Sequence, residues 1–443
     1  MTDFPQSSDA VDDRGPDGRF TVARAIFTDQ ALFEREMAQI FEGGWIYLAH
    51  ESQLAEVNDY VRAPVGHKSI IVARGRDGVV RAFLNACPHR GGALCHSDRG
   101  NKKLIVCPYH GWTFDSAGKN VHIKGRETGG YTAAFDAASH DLHELPRVES
   151  YRGFVFGSLS AEVPPLAQHL GAAAGFIDLL VDQSPDGIEV LPGSSAYRYR
   201  GNWKLQMENG VDGYHFTTVH QNYVRVLQQR GSRVRESGVA DAVRTGFDHQ
   251  NWGKEAGWYD LGHGHALIWL LSTAPSDRPL WDQRDALAER VGEVPAKWMI
   301  ERQRNLSLFP NVQLMDQNST QIRVIVPLAP DLTEVRSFCF APRGESDGAR
   351  MRRLRQFEDF FNASGFATPD DLAVFEGVQR GCASGPRVRQ GYDRGMERLK
   401  AGPDEEARAL DIAPVASGSD LQDETLYHGF YRQWLLAMTE GGD

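Results

Sequence analysis

The sequence predicts an α+β protein in which a small β-rich domain, residues 43–160, interrupts a larger domain made of residues 1–42 and 161–443. Three observations predict it. At 443 residues the chain is longer than one hydrophobic core ordinarily serves. From "WIYLAH" (45–50) to "YRGFVFGSL" (151–159) the texture is short strands and tight turns. Beyond residue 160, strands and helices fall in separate blocks, which favours an antiparallel sheet flanked by helices.

The elements follow in order. A helix from about Thr28 carries Leu32, Phe33, Met37, Ile40 and Phe41 on one broad face and is expected to pack back onto the larger domain. "SIIVARGRDGVVRAFL" (69–84) is a hairpin with Asp77-Gly78 in its turn, and "LIVC" (104–107) is a further strand. "NWKLQMENGVDGYHFTTVH" (202–220) begins as a helix. "ALIWLL" (266–271) is too short to cross a bilayer and reads as a buried strand. "TQIRVIVPL" (320–328) and "EVRSFCFAP" (334–342) contain period-2 stretches and are strands. "MRRLRQFEDFFNA" (351–363), "PDDLAVFEGVQ" (369–379) and "ETLYHGFYRQWLLAM" (424–438) are helices.

Composition narrows the function. Hydrophobic and charged fractions are those of a soluble globular protein, and no apolar run is long enough for a membrane span. The first 18 residues are polar and acidic, unlike a signal peptide, and read as a leader outside the fold. A formal charge of −11 argues against nucleic-acid partners. Five cysteines, three of them clustered, suit a reducing cytoplasm in which thiols are kept for metal.

The cluster is "CPHRGGALCHSDRGNKKLIVCPYHGW", residues 87–112. Cys87-Pro88-His89 and Cys107-Pro108-Tyr109-His110 are two similar arms, each with one thiolate and one imidazole. Zinc knuckles usually take a cysteine pair from one loop and a histidine pair from another. Mixed arms suit two irons instead, with both thiolates on one and both imidazoles on the other, which is the Rieske [2Fe–2S] arrangement. Gly91 and Gly92 are expected to donate backbone N–H groups to the sulfides, and Trp112 to shield them. Cys95 reads as a plain thiol without a ligand role.

His215 and His220 stand five residues apart, about 140° around a helix, so they converge only if the helix ends or bulges between them. "FTTV" is a poor helix former that permits this. Asp212, three before His215, can accept its ring N–H. Two histidines and one carboxylate on one side of an Fe(II) leave positions for O2. "TPDDLAVFEGVQRG" offers Asp370 and Asp371, of which one is expected to be an N-cap. "GHGH" (262–265) has no evident third ligand. His122, His140, His143 and His428 look scattered and exposed. Glu208 suits a structural contact, and "RMRRLRQ" (350–356) a solvated helix face.

"CPHR…CPYHGW" followed by "NWKLQMENGVDGYH….H" resembles the large (α) subunit of the Rieske non-haem iron aromatic-ring hydroxylating dioxygenases. "IFEGGWIYLAHESQ" and "VDQSPDGIEVLPGSS" are similar to the benzoate, toluate and anthranilate branch. The resemblance implies a helix-grip-like catalytic domain and two cofactors. One is a [2Fe–2S] cluster on Cys87, His89, Cys107 and His110, and the other a mononuclear Fe(II) on His215, His220 and Asp371. Asp371 is preferred to Asp370 because it lies eight before Gln379. Asp212 would link the two centres, bonding His215 of its own chain and the partner subunit's His110, while Asn209 would lie near the iron. High-potential Rieske proteins add two cysteines that bridge the loops. Gly92 and Tyr109 hold those places here, which implies the low-potential kind.

The implied reaction is cis-dihydroxylation of an aromatic carboxylate such as benzoate, anthranilate, salicylate or a halobenzoate. The implied partners are an NADH-dependent flavin/iron–sulfur reductase and a small β subunit in an α3β3 assembly. Met207, Val211 and Phe216 are expected in the substrate pocket from adjacency alone, and no anchor for an acid is evident. A monooxygenase of the same architecture and a non-catalytic electron carrier remain as alternatives.

Overall fold

The computed structural model describes residues 9–15, 18–221, 225, 255–317 and 319–440. They cluster into two units, one of residues 37–166 and one of residues 1–36 with 167–443. In the smaller unit Lys68–Arg74 and Val80–Leu84 pair antiparallel, and Gly78 (φ 79°) supplies the left-handed turn position. Asp59–Val65 and Arg99–Asn101 extend this hairpin to four strands. Two three-stranded sheets complete the unit, one around Thr113–Asp115 and one around Phe154–Ser158. Ile71, Phe83, Leu94, Ile105, Trp112 and Phe114 form its core together with Cys87, Cys95 and Cys107. Asn85 fixes the approach to the first cysteine loop. Its Oδ1 accepts the N–H groups of Leu94 and Cys95, and its Nδ2 donates to Cys95 O and Ser69 Oγ. All four of its hydrogen-bonding positions are used.

The larger unit is built on a ten-stranded antiparallel sheet. Six strands in a row, Ala256–Gly262, His265–Leu271, Arg302–Leu308, Val312–Asp316, Thr320–Ala329 and Leu332–Pro342, each pair with the next. The alternation in "TQIRVIVPL" does not mark a wet face, because Gln321 and Arg323 are as buried as Ile322 and Val324. Helices Asp347–Asp359, Thr368–Ser384 and His428–Glu440 come after these six strands in the chain. The first starts on Ser346, whose side chain accepts the Ala349 N–H.

Several expectations are corrected. Part of the supposed leader belongs to the fold, since Val11–Asp13 pairs with Phe20–Ala23. The early helix runs Gln30–Glu36 and continues as a wider π-type turn over Met37–Glu42, with all five anticipated apolar residues buried. His428 is not exposed. It stacks on Phe20 at 3.8 Å, sits 2.8 Å from the Tyr392 carbonyl, and burial pulls its pKa down to about 4. The face of 350–356 is not wholly solvated either, because Arg353 is buried against Glu345.

Glu36 is the buried tie between the N-terminal helix and the rest of the larger unit. Its carboxylate accepts Lys204 Nζ, Trp203 Nε1 and Trp434 Nε1, all out of contact with water. Burial pulls the Lys204 pKa down and the Glu36 charge opposes it. Removing one partner strands the other charge. Glu36→Gln or Lys204→Met is therefore expected to cost about 3–5 kcal/mol in chemical denaturation. A variant that unfolds at the wild-type denaturant concentration would show the tie to be dispensable.

Candidate metal centres

Residues 87–92 and 107–112 fold into two loops with the same hydrogen bonds. Cys87 N–H donates to Gly92 O and Gly91 N–H to Cys87 O; Cys107 N–H donates to Trp112 O and Gly111 N–H to Cys107 O. Gly91 (φ 70°) and Gly111 (φ 76°) occupy the matching left-handed corners. Each loop thereby presents a cysteine and a histidine from the same frame. Both cysteines are buried, whereas His89 is exposed and His110 half-buried, their rings 4.7 Å apart. Trp112 stacks on His89 at 4.6 Å. The Gly91 N–H does not serve as expected, since it is spent inside the loop. The amides of His89 and Arg90 face the Cys87 sulfur instead. Burial raises the Cys87 pKa and lowers that of His89. A Cβ on Gly92 would lie 3.6 Å from that of Tyr109, which is disulfide spacing, yet neither residue can form the bridge.

The second cluster is in the larger unit. Helix Trp203–Asn209 is capped by Asn202, whose side chain accepts the Lys204 N–H. The chain then turns on Asp212, whose carboxylate takes the N–H groups of Tyr214 and His215. "FTTV" does not break a helix but forms a single turn, Phe216–Val219, with His215 at its start and His220 at its end. The two rings meet there, Nε2 to Nε2 at 3.2 Å. Helix Thr368–Ser384 brings Asp371 Oδ1 to 3.5 Å from His215 Nε2 and 3.2 Å from His220 Nε2.

Neither Asp370 nor Asp371 caps this helix, because Ala367 is the N-cap. Both sit in the first turn, where the helix dipole favours a carboxylate. Asp370 stands 4.0 Å behind His220, at Nδ1. Gln379 locks the two carriers together: its Oε1 accepts the Asn202 N–H, and its Nε2 shares the Phe27 carbonyl with Asn202 Nδ2.

Three donor atoms that converge like this repel one another unless a cation lies among them. Asp371 Oδ1 is buried without a hydrogen-bond partner, and the three atoms all lie within 4.8 Å of one another. Asp212 Oδ2 stands 3.2 Å from His215 Nδ1, a charge that favours the ring proton on that side and the Nε2 lone pair towards the centre. Burial disfavours the His215 cation, but the Asp212 hydrogen bond and charge, with Asp371 behind them, raise its pKa overall. Burial likewise pushes Asp212 up, and its bonds to His215 and two amides bring it down below the ordinary value. Asn209 Nδ2 is 3.3 Å from His215 Nε2.

A cavity opens on this cluster, lined by Asn209, Asp212, Phe216, Phe360 and Phe361 among others. Met207 and Val211 do not line it. Both are buried, and the Gln206 and Met207 carbonyls accept Gln313 Nε2 of the sheet. Successive helical residues point about 100° apart and Val211 lies past the helix end, so adjacency misleads. Among the cavity residues the sequence did not suggest is Arg323, a buried cation in "TQIRVIVPL" whose polar place in the alternation was the available signal. Glu208 is held away from the cluster by the hydroxyls of Tyr392 and Tyr431; burial pushes its pKa up to about 7. His265 of "GHGH" is a structural residue, its Nδ1 accepting the Phe309 N–H.

The model of the ring-hydroxylating α subunit catalytic domain matches residues 191–440, and that of the Rieske [2Fe–2S] domain matches 44–146. The chain belongs to the Rieske aromatic-ring hydroxylating dioxygenases, as a large (α) subunit. Toluate 1,2-dioxygenase subunit alpha of Pseudomonas putida is 46% identical, over 97% of this chain and 93% of its own. The 2-halobenzoate 1,2-dioxygenase large subunit of Burkholderia cepacia is 44% identical over 98% and 92%, and the anthranilate 1,2-dioxygenase large subunit of Acinetobacter baylyi 42% over 97% and 92%. A crystal structure of a naphthalene 1,2-dioxygenase variant bound to phenanthrene superposes with a TM-score of 0.83 at 25% identity, covering 98% of this chain and 95% of that one. This ring-hydroxylating dioxygenase is thus an oxidoreductase whose cofactors are a Rieske [2Fe–2S] cluster and a mononuclear iron. Both donor sets described above fit those groups in chemistry and number.

Proposed function

We propose that this chain is the large subunit of a terminal oxygenase that cis-dihydroxylates an aromatic carboxylate. The observation that carries the reading is the His215–His220–Asp371 cluster at the wall of an aromatic-lined cavity, in a chain that also bears the two mirrored Cys/His loops. Relatives named for toluate, 2-halobenzoate and anthranilate support the acid as substrate class.

Cys87, His89, Cys107 and His110 hold the cluster, and His215, His220 and Asp371 hold the mononuclear iron. When bound, these groups supply stored electrons and O2 chemistry. The chain supplies the rest. Asp212 keeps the His215 ring proton on Nδ1 and links this site to a neighbouring subunit's cluster. Gln379 and Asn202 keep the two carrier helices in register. Asn209 stands beside the metal donors, its Nδ2 3.3 Å from His215 Nε2, and Phe216 with Phe360 and Phe361 excludes water and flanks the ring.

Members of this family are terminal oxygenases that work with reductase partners and often a β subunit. For this chain the reading takes an NADH-dependent reductase, an α3β3 assembly and a cytoplasmic location. No helix among the described residues is long and apolar enough to cross a membrane.

Metal analysis of the purified enzyme should give about three irons and two sulfides per chain. Two irons would reduce it to a carrier, and zinc would abolish the reading. Turnover with benzoate, anthranilate, salicylate and 2-halobenzoates under labelled O2, with reductase and NADH, should place both oxygen atoms on one ring. A single labelled atom would mean monooxygenation.

A further inference from the structure

Four arginines are buried among the described residues: Arg278, Arg304, Arg323 and Arg353. Arg278 and Arg304 share Asp316, and Arg353 pairs with Glu345. Arg323 has no carboxylate within ion-pair distance among the described residues. Its side chain is 2% exposed, yet it lines the same cavity as His215, His220 and Asp371. Nε donates to Gln321 Oε1 at 3.2 Å, and the guanidinium lies over the Phe361 ring at 4.4 Å. Nη2 is buried and donates to nothing. Ser337, directly across from Arg323 on the neighbouring strand, also has a buried Oγ without a partner.

A guanidinium taken out of water costs free energy until a negative charge joins it. The other three buried arginines among the described residues have that charge from the protein. Arg323 has the cavity beside it instead. A planar fork with a free N–H edge, stacked on an aromatic ring, accepts a carboxylate through two parallel hydrogen bonds and fixes its plane.

We infer that Arg323 is the specificity-determining residue that takes the carboxylate of the aromatic acid, so that the cavity selects acids over neutral arenes. The inference rests on the aromatic-acid reading above. Held at that one point, the ring keeps a fixed distance from the iron ligands, and attack is confined to the carbons nearest them.

The holoenzyme is dialysed to equilibrium against benzoate and anthranilate, and against their neutral amides. Wild type should prefer acid to amide about 100-fold, as charge-assisted bidentate bonds warrant. Arg323→Gln should lose most of that preference by weakening acid binding about 100-fold, with amide binding, iron content and the iron–sulfur spectrum unchanged. Arg323→Lys should fall between, since it keeps the charge but loses the fork. If Arg323→Gln holds the acids as tightly as wild type, the anchor is elsewhere and the aromatic-acid reading stands without it. The preference is measurable on wild type even if the variant does not fold, and equal affinity for acid and amide there would equally overturn the anchor. Wild type that binds neither acid, and oxidises neutral arenes instead, would overturn the reading and the anchor together.

Discussion

His215→Ala is expected to leave the iron–sulfur absorption spectrum unchanged while turnover falls by about 1,000-fold or more, the scale set by losing a metal's several kcal/mol of transition-state stabilisation. The separation of the effects follows from where the residues sit. His215 belongs to the turn before Phe216–Val219 in the larger unit, and the Cys/His loops hang on the sheets of the smaller one. The iron count should drop from about three to two per chain, because one of three converging donors is gone. A full iron complement with normal turnover would mean that the histidines do not hold the metal.

Asp212→Ala tests a different link. The carboxylate orients His215 through Nδ1 and closes the turn through two amides. Loss of such a supporting carboxylate typically costs about 10–100-fold in activity or metal affinity. Both metal centres should remain, and reduced enzyme mixed with O2 and substrate should show cluster oxidation slowed by about that factor. Wild-type rates would sever Asp212 from electron delivery. Asp212→Asn, which can still accept an amide N–H but carries no charge, separates the turn from the electrostatics.

How far the site could be read from the chain depended on how local each signal was. The two Cys/His loops are short and self-contained, so the residues that form them are adjacent in the sequence. Asp370 and Asp371 are indistinguishable locally, as both follow a proline in the first turn of a helix. Only the fold turns Asp371 inward and leaves Asp370 behind His220. Met207 was misjudged because a helix rotates neighbours away from each other, and Val211 because it lies past the end of that helix. His428 looked exposed because its partner, Phe20, lies some 400 residues earlier in the chain. Arg323 carried almost no signal. A basic residue alternating with Ile322 and Val324 ordinarily marks a wet face, but here the guanidinium lies over Phe361 as an interior charge.

The unequal burial of the mirrored loops has a consequence for traffic in and out of the smaller unit. Sulfur is walled in, while the imidazole of His89 reaches the outside of the isolated chain and that of His110 lies partly open. In this chain whatever approaches the loop pair therefore reaches an imidazole edge before a sulfur. Such a rim sets the sulfurs back from adventitious oxidants, and it presents nitrogens, which bind protons, where a buried thiolate offers none.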